Sequence, residues 1–352
     1  MTEVSNDDER PDGYYGEHAG HLSEERHDEK SLVEDHPIED FREGMPATAP
    51  VTEELMHLHE GASRTLWGDA WRRLRRNRLA LVSLVWLLSI VVATVTADLW
   101  VTPLFGDPTT IDSTTAAVNR LLGPSLRHPL GTDDLGRDIL GRVIYGARAS
   151  LTVGVVSVAI AVIIGLFLGA LSGFYAGFID ALIMRVTDVF LAFPYILFCI
   201  LILSVLPDEV RGVGPVILSI GLLGWPSFAR LFRSSVLSVK ENDYVDAGRA
   251  LGASDTRLMF RHIMPNAVAP VVVYATMSVG GAILTEAALS FLGLGIQPPQ
   301  ISWGRMIDDG RGYLISNPGL VFWPGIAIIL TVLAFTLLGD GIRDALDVKM
   351  KD

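Results

Sequence analysis

Cysteine is almost missing from this chain of 352 residues: Cys199 stands alone inside an apolar run, which excludes an intrachain disulfide and says little about redox compartment. The nucleotide-cradling pattern G-x-x-x-x-G-K-[ST] does not occur, nor does any Gly-Lys pair, so the chain does not bind phosphates by that motif. A secretory signal peptide is not visible, because the first apolar stretch begins near Leu79 behind a long polar leader. Charge is missing from several long apolar runs as well. That absence excludes an ordinary soluble core, which would show alternating or 3.6-residue stripes instead.

What is present is apolar sequence in blocks. Half of the residues are hydrophobic, and the mean hydropathy is +0.39. The chain therefore reads as an all-α integral membrane protein. Its formal charge of −12 belongs to one end: residues 1–63 hold 18 Asp or Glu against 4 Lys or Arg, and the remainder holds 22 against 24. A segment so polar cannot bury enough surface to offset its conformational entropy, so residues 1–63 read as a disordered acidic tail. His18, His21, His27, His36, His57 and His59 fall within it. Their irregular spacing, without cysteine partners, reads as solvated tail rather than as a metal site.

A helix rises about 1.5 Å per residue, so roughly 20 apolar residues cross a bilayer. Six stretches qualify: Leu79–Ala97, Ala149–Ile179, Val189–Leu206, Gly212–Ala229, Ala267–Thr285 and Gly312–Gly339. Each is free of Asp, Glu, Lys and Arg. Arg72, Arg73, Arg75, Arg76 and Arg78 precede the first, which places that end in the cytoplasm by the positive-inside rule; six crossings put both termini there. The organisation expected is a tail over 1–63, a basic juxtamembrane segment and first span over 64–110, an extracytoplasmic loop over 111–148, and a core of five spans over 149–352. Arg120, Arg127, Arg137, Arg142 and Arg148 crowd the outer loop and sit awkwardly with this topology.

Within that loop, Ile139, Leu140, Val143, Ile144 and Ala147 share one helical face opposite Arg137, Asp138 and Arg142. Two readings stay open: an amphipathic helix lying at the membrane interface, or a helix packed on its own neighbours. In the second span, Gly165, Gly169, Gly173 and Gly177 recur every four residues, one step after Ala161. Such a ridge predicts close approach of a partner helix, in this chain or another. Pro194, Pro226, Pro270 and Pro324 fall within spans, with a kink expected foremost at Gly224–Trp225–Pro226. Asp188, Glu286 and Arg185 lie at span edges, where reaching water by snorkelling is the favoured reading over lining a pathway.

Residues 243–266, DYVDAGRALGASDTRLMFRHIMPN, are polar and lie between two spans in a segment extending over about 230–266. Asp243 is expected to cap a short helix, Gly252 to end it in a left-handed turn, Ser254 to cap a second helix, and Pro265 to discourage its continuation. With Leu258, Met259, Phe260 and Ile263 at hand, the unit suits docking into a groove on a soluble partner, although an ordinary membrane-protein loop can contain short helices too.

These residues resemble a family. Asp246-Ala247-Gly248, then Gly252, then His262-Ile263-Met264-Pro265-Asn266 is similar to the EAA loop of binding-protein-dependent ABC import permeases. HPLGTDDLGRDILGRVIYGARASL, EAALSFLGLGIQPPQISWGRMI and the RRNRLALVSLV opening of the first span resemble the C-type subunit of dipeptide, oligopeptide and nickel permeases. The resemblance covers roughly residues 70–350. Asp246 stands where Glu is usual, Gly248 where the second Ala is usual, and Met264 where Leu is frequent.

The resemblance implies a type I ABC importer permease fold with six transmembrane helices in the cell membrane. It also implies a homologous second permease subunit, two ATPase subunits that handle ATP and Mg, and an extracytoplasmic substrate-binding protein. No cofactor, nucleic acid or catalytic role is expected of this chain. Asp246, Ala247, Gly248 and Gly252 would form the coupling core, with Arg249, Arg257 and Arg261 as ionic contacts or as charges that only set topology, and Pro265 closing the motif. The rival reading is an ion-coupled secondary transporter, which predicts mid-span charges and related halves. An intramembrane enzyme is a third, but His128 and His262 lie outside the spans.

Overall fold

The computed structural model describes residues 66–111 and 116–346, and among these every regular element is helical. The acidic tail with its six histidines, and the last residues of the chain, lie outside the described residues. Helix α1 (Leu66–Leu74) carries Arg72 and Arg73, and the Arg75 guanidinium lies over the Trp71 ring at 4.9 Å. Asn77 then caps α2 (Arg78–Val95), accepting from the amides of Leu79 and Ala80 at 3.1 and 3.2 Å. A short α3 (Ala97–Phe105) follows.

The longest element is α4 (Ile139–Tyr175), whose 37 residues extend about 55 Å, well beyond a hydrocarbon core of about 30 Å. Asp138 caps it, accepting from Gly141 N at 2.7 Å. The residues read as a separable amphipathic segment are thus the projecting first turns of a span, which settles the two open readings in favour of packing on neighbours. Arg142 is buried there because it pairs with Asp133 and, at 3.0 Å, with Asp309. Arg137 also pairs with Asp133, at 2.8 Å. Arg120 donates to the Tyr313 hydroxyl, and Arg148 pairs with Asp98 at 2.9 Å. Four of the five arginines that sat awkwardly in this loop are therefore engaged locally. Arg148, followed by the Tyr145 hydroxyl, holds the Asp98 carboxyl below its ordinary range.

After α4 the chain turns at Ala176 and Gly177, both at positive φ. Helices α5 (Gly177–Ala192) and α6 (Tyr195–Val205) follow and meet at an 81° bend. Together they take the place of the third span expected over Val189–Leu206. Next are α7 (Val213–Lys240), α8 (Asp243–Ala250), α9 (Ala269–Phe291), α10 (Trp303–Gly310) and α11 (Gly319–Leu346). Five described helices are long and apolar enough to cross a membrane, or six spans if the bent pair counts as one.

The break falls at Pro194, with Phe193 extended before it (φ −91°, ψ 138°). Helix α7 continues through Pro226, and α11 through Pro324, while Pro270 occupies the permissive first turn of α9. Of the four prolines expected to be able to kink a span, Pro194 stands at an 81° break, whereas α7 is uninterrupted at Pro226.

Close contacts order the bundle. A Cβ on Gly169 would lie 2.6 Å from the Ala229 carbonyl oxygen, and one on Gly173 would lie 2.8 Å from Val236. Gly165 meets Phe228 in the same way, so α4 and α7 run parallel along one glycine seam. Gly177 does not join it: the helix has already ended, and open space surrounds that position. Gly154 against Ile283 and Gly280 against Val332 place α9 antiparallel to α4 and α11. All long helices thus share a loop end, carrying 241–268, and a far end, carrying 106–138 and 293–318.

Glu286 departs from the edge reading. It is fully buried near the far end of α9, accepting from Ser150 Oγ at 3.1 Å and Ser290 Oγ at 2.7 Å. Ser150 also accepts from Trp303 N at 3.2 Å. The carboxyl therefore joins α4, α9 and α10, and its burial is compatible with these hydrogen bonds rather than with access to water. Asp188, by contrast, is half-exposed and pairs with Arg230 at 2.6 Å, and Arg185 is exposed.

Candidate functional site

Two features stand out at the junction of α7 and α9: the polar loop that connects them and a cleft between them. Helix α7 ends at Glu241, and α8 begins after Asn242, whose extended backbone (φ −81°, ψ 141°) makes it the cap; Asp243 is the first helical residue instead of the cap. Asp243 and Asp246 both lie in the first turn, where the exposed amides favour negative charge. Gly252 adopts φ +81°. Its amide donates to Arg249 O at 3.0 Å, and that of Ala253 donates to Gly248 O at 3.1 Å. This pair of bonds satisfies the last carbonyls of α8 and needs a left-handed residue, which is the role the sequence assigned to Gly252.

Ser254 caps the return, accepting from Arg257 N at 3.4 Å. A short α-turn (Asp255–Arg257) widens into a π-turn (Leu258–Ile263) and continues through Met264–Ala267. Pro265 therefore lies within helical structure instead of ending it. The wide turn supplies the reason: Met264 N bonds five residues back to Met259 O, which relieves the crowding that proline imposes on a tighter turn.

Burial divides the loop residues into two sets. Val245, Leu258 and Ile263 are fully buried, and Met259 nearly so, which removes three of the four apolar residues expected to dock outward. A Cβ on Gly248 would lie 3.1 Å from Leu258 Cδ2, so glycine in place of the usual alanine lets α8 settle on that leucine. On the outer surface are Asp246 and Arg249, paired at 3.2 Å, with Ala247, Arg257, Arg261 and Pro265 all exposed. The exposed pair contributes little stability. Beside them stand Phe260 at 62%, Tyr244 at 46% and Leu251 at 90% exposure. Leu251 and Tyr244 escaped the sequence reading. The signal for Leu251 was its place just before the left-handed glycine, beyond the buried face of α8.

The cleft has a volume of about 730 Å³ and is walled by α4, the α5–α6 bend, α7 and α9. Phe190, Phe193 and Pro194 bring the bend into its wall, while Ser157, Ser227, Ser278 and Thr285 contribute hydroxyls. Ser157 donates to Ile217 O at 3.2 Å, Ser278 to Tyr274 O at 2.7 Å and Thr285 to Gly281 O at 2.9 Å, so these three hydroxyls are satisfied by helix backbone while keeping acceptor capacity. Asp, Glu, Lys, Arg and His are absent from its lining, and Glu286 lies outside that wall. Such a surface can pass polar, uncharged groups and offers no nucleophile paired with a base. No group of three or more metal-ligating side chains occurs among the described residues.

Comparison with known proteins places this geometry. Residues 130–352 match the family described as binding-protein-dependent transport system inner membrane component. Residues 65–124 match the N-terminal transmembrane domain of oligopeptide transport permease C. A dipeptide transport system permease protein from Alkalihalophilus pseudofirmus is 43% identical over 285 residues, covering 81% of this chain and 90% of the relative. A glutathione transport system permease protein from Pectobacterium atrosepticum is 39% identical over 310 residues, covering 88% and 98%. Among solved structures, an inward-facing methionine ABC transporter aligns with a TM-score of 0.50 at 18% identity, over 58% of this chain and 96% of that one. That last likeness concerns the fold alone.

Proposed function

Because the chain belongs to the family of binding-protein-dependent transport inner membrane components, we propose that it is the C-type permease subunit of an ATP-driven peptide importer. In this reading it forms half of the translocation path, and a homologous second permease subunit forms the other half. Two ATPase subunits, which carry ATP and Mg, grip the loop over 241–268 on the cytoplasmic side. Both termini lie on that same side. An extracytoplasmic binding protein delivers the substrate to the far end.

The observation that carries this reading is the loop itself. It is a folded helix, glycine turn and helix, built directly onto the ends of α7 and α9, with Tyr244, Asp246, Arg249, Leu251 and Phe260 exposed. A push on such a unit reaches both walls of the cleft without passing through flexible chain. Peptides suit the cleft on chemical grounds. Their shared feature is a neutral backbone of amides, which hydroxyls and aromatic faces contact without demanding a particular side-chain charge. The two curated relatives are named for dipeptides and for glutathione, a short peptide.

The test combines two loop variants in the assembled importer. Gly252→Pro cannot adopt φ +81° and loses the amide that bonds Arg249. Asp246→Lys reverses an exposed charge and leaves the packing untouched. Both are expected to lower ATP-dependent peptide uptake by about tenfold or more, equivalent to ~1.4 kcal/mol, while insertion into the membrane is retained. Normal uptake in both variants would remove the loop from the mechanism. The secondary-transporter alternative predicts uptake by this chain alone, abolished by an ionophore and indifferent to ATP.

A further inference from the structure

Helix α9 carries a continuous stripe from Thr285 through Gly281, Ser278 and Tyr274 to Pro270, one residue per turn on one face. The far-end half of that stripe lines the 730 Å³ cleft. Its loop-end half lines a second cavity of about 460 Å³, walled by Leu231, Pro270 and Val273 and reaching Arg343. Tyr274 and Met277 belong to both walls, so the two cavities meet at these side chains. Phe228 of α7 reaches Tyr274 from the other side, with ring centroids 4.9 Å apart and planes inclined by 58°.

Met277 is fixed from behind. Gly339 of α11 has no room for a Cβ because Met277 Cγ occupies that space, whereas Gly281, one turn along α9, faces open space. We infer that Phe228, Tyr274 and Met277 form this subunit's half of a gate between the two cavities, with the two rings in contact in the conformation described. The inference rests on the importer reading and adds to it the place where passage is barred. Its two aromatic members sit on α7 and α9, the helices joined by the loop. A change in the angle between these helices parts the rings directly, with no intermediate element. Aromatic contacts are weak enough to break and reform in each cycle, and the unbranched thioether adapts to both states.

The test uses the whole importer in inside-out vesicles, with Cys199→Ser as background and single cysteines introduced at Gly281→Cys or Val273→Cys. A membrane-impermeant methanethiosulfonate reagent is added from the loop side without ATP. With the gate intact, Val273→Cys is expected to react about tenfold faster than Gly281→Cys; adding Tyr274→Ala should bring the two within about twofold. Phe228→Ala, which opens the same contact from α7, should do likewise and guards against a local folding defect. Equal rates with Tyr274 intact, or a Gly281→Cys that stays slow in both truncations, would overturn the gate. ATP-driven peptide uptake by wild-type vesicles is recorded in parallel. Its absence overturns the importer reading and the gate with it, whereas uptake accompanied by undifferentiated labelling overturns the gate alone.

Discussion

Gly169→Leu should abolish accumulation of the folded subunit, lowering the monodisperse fraction in detergent size-exclusion chromatography by about tenfold or more. A Cβ alone at this position would lie 2.6 Å from the Ala229 carbonyl oxygen and 3.0 Å from Phe232 Cβ. The nearest atom is main chain, which cannot rotate away, so α4 and α7 must separate along the whole seam. Overpacking a relaxed site costs about 1–3 kcal/mol, and a site that cannot relax costs more. Gly325→Ala is the contrasting case, because nothing lies within 4 Å of its position in α11. That change should be neutral or stabilise by up to about 1 kcal/mol through helix propensity. Equal behaviour of the two variants would show that the seam does not hold the bundle.

Arg142→Ala should be the most damaging single charge removal at the far end. The side chain is 4% exposed, and its guanidinium joins Asp133, itself 3% exposed, to Asp309 of α10. Asp133 also accepts from the amides of Leu135 and Arg137 at 2.9 and 2.8 Å, so the carboxylate is committed to the turn that leads into α4. Removing one partner of a buried pair leaves the other charge uncompensated, at a cost of about 3–5 kcal/mol. The expected readout is a fall in the thermal unfolding midpoint of the purified complex by roughly 10 °C. Arg142→Lys keeps the charge but loses the forked geometry that spans two carboxylates, and should fall between alanine and wild type. A midpoint unchanged by Arg142→Ala would mean that the network is dispensable.

The legible parts of the molecule were those governed by local rules. Ser254 caps its helix because a short polar side chain reaches the next turn, and Gly252 takes the left-handed turn because it lacks a Cβ. The glycine ladder was readable from its spacing as far as Gly173. It stopped there because Ala176 turns the chain at φ +55°, which no ladder rule anticipates.

Harder to read was whatever depended on distant partners. Pro194 and Pro226 look alike in sequence, yet only the first interrupts its helix, and Pro226 is buried within α7. Arg142 read as an awkward positive charge until Asp309, far along the chain, proved to face it. Glu286 was placed at a watery edge because nothing in its neighbourhood marks Ser150 as its partner. Leu258, Met259 and Ile263 read as outward anchors, whereas the loop folds back on them and leaves Leu251 and Phe260 outside. In each case burial, which is decided by tertiary packing, outweighed the local pattern.

The glycine seam constrains how this molecule can move. Where glycines of α4 leave no room even for a Cβ against α7, neither partner can slide by a fraction of a turn without collision, so α4 and α7 behave as one beam. Displacement of the loop would then swing that beam as a rigid body, and deformation would concentrate at the 81° elbow before Tyr195. In the importer reading proposed above, substitutions that soften the beam should therefore blunt the response to loop displacement even when the loop's outer surface is unchanged.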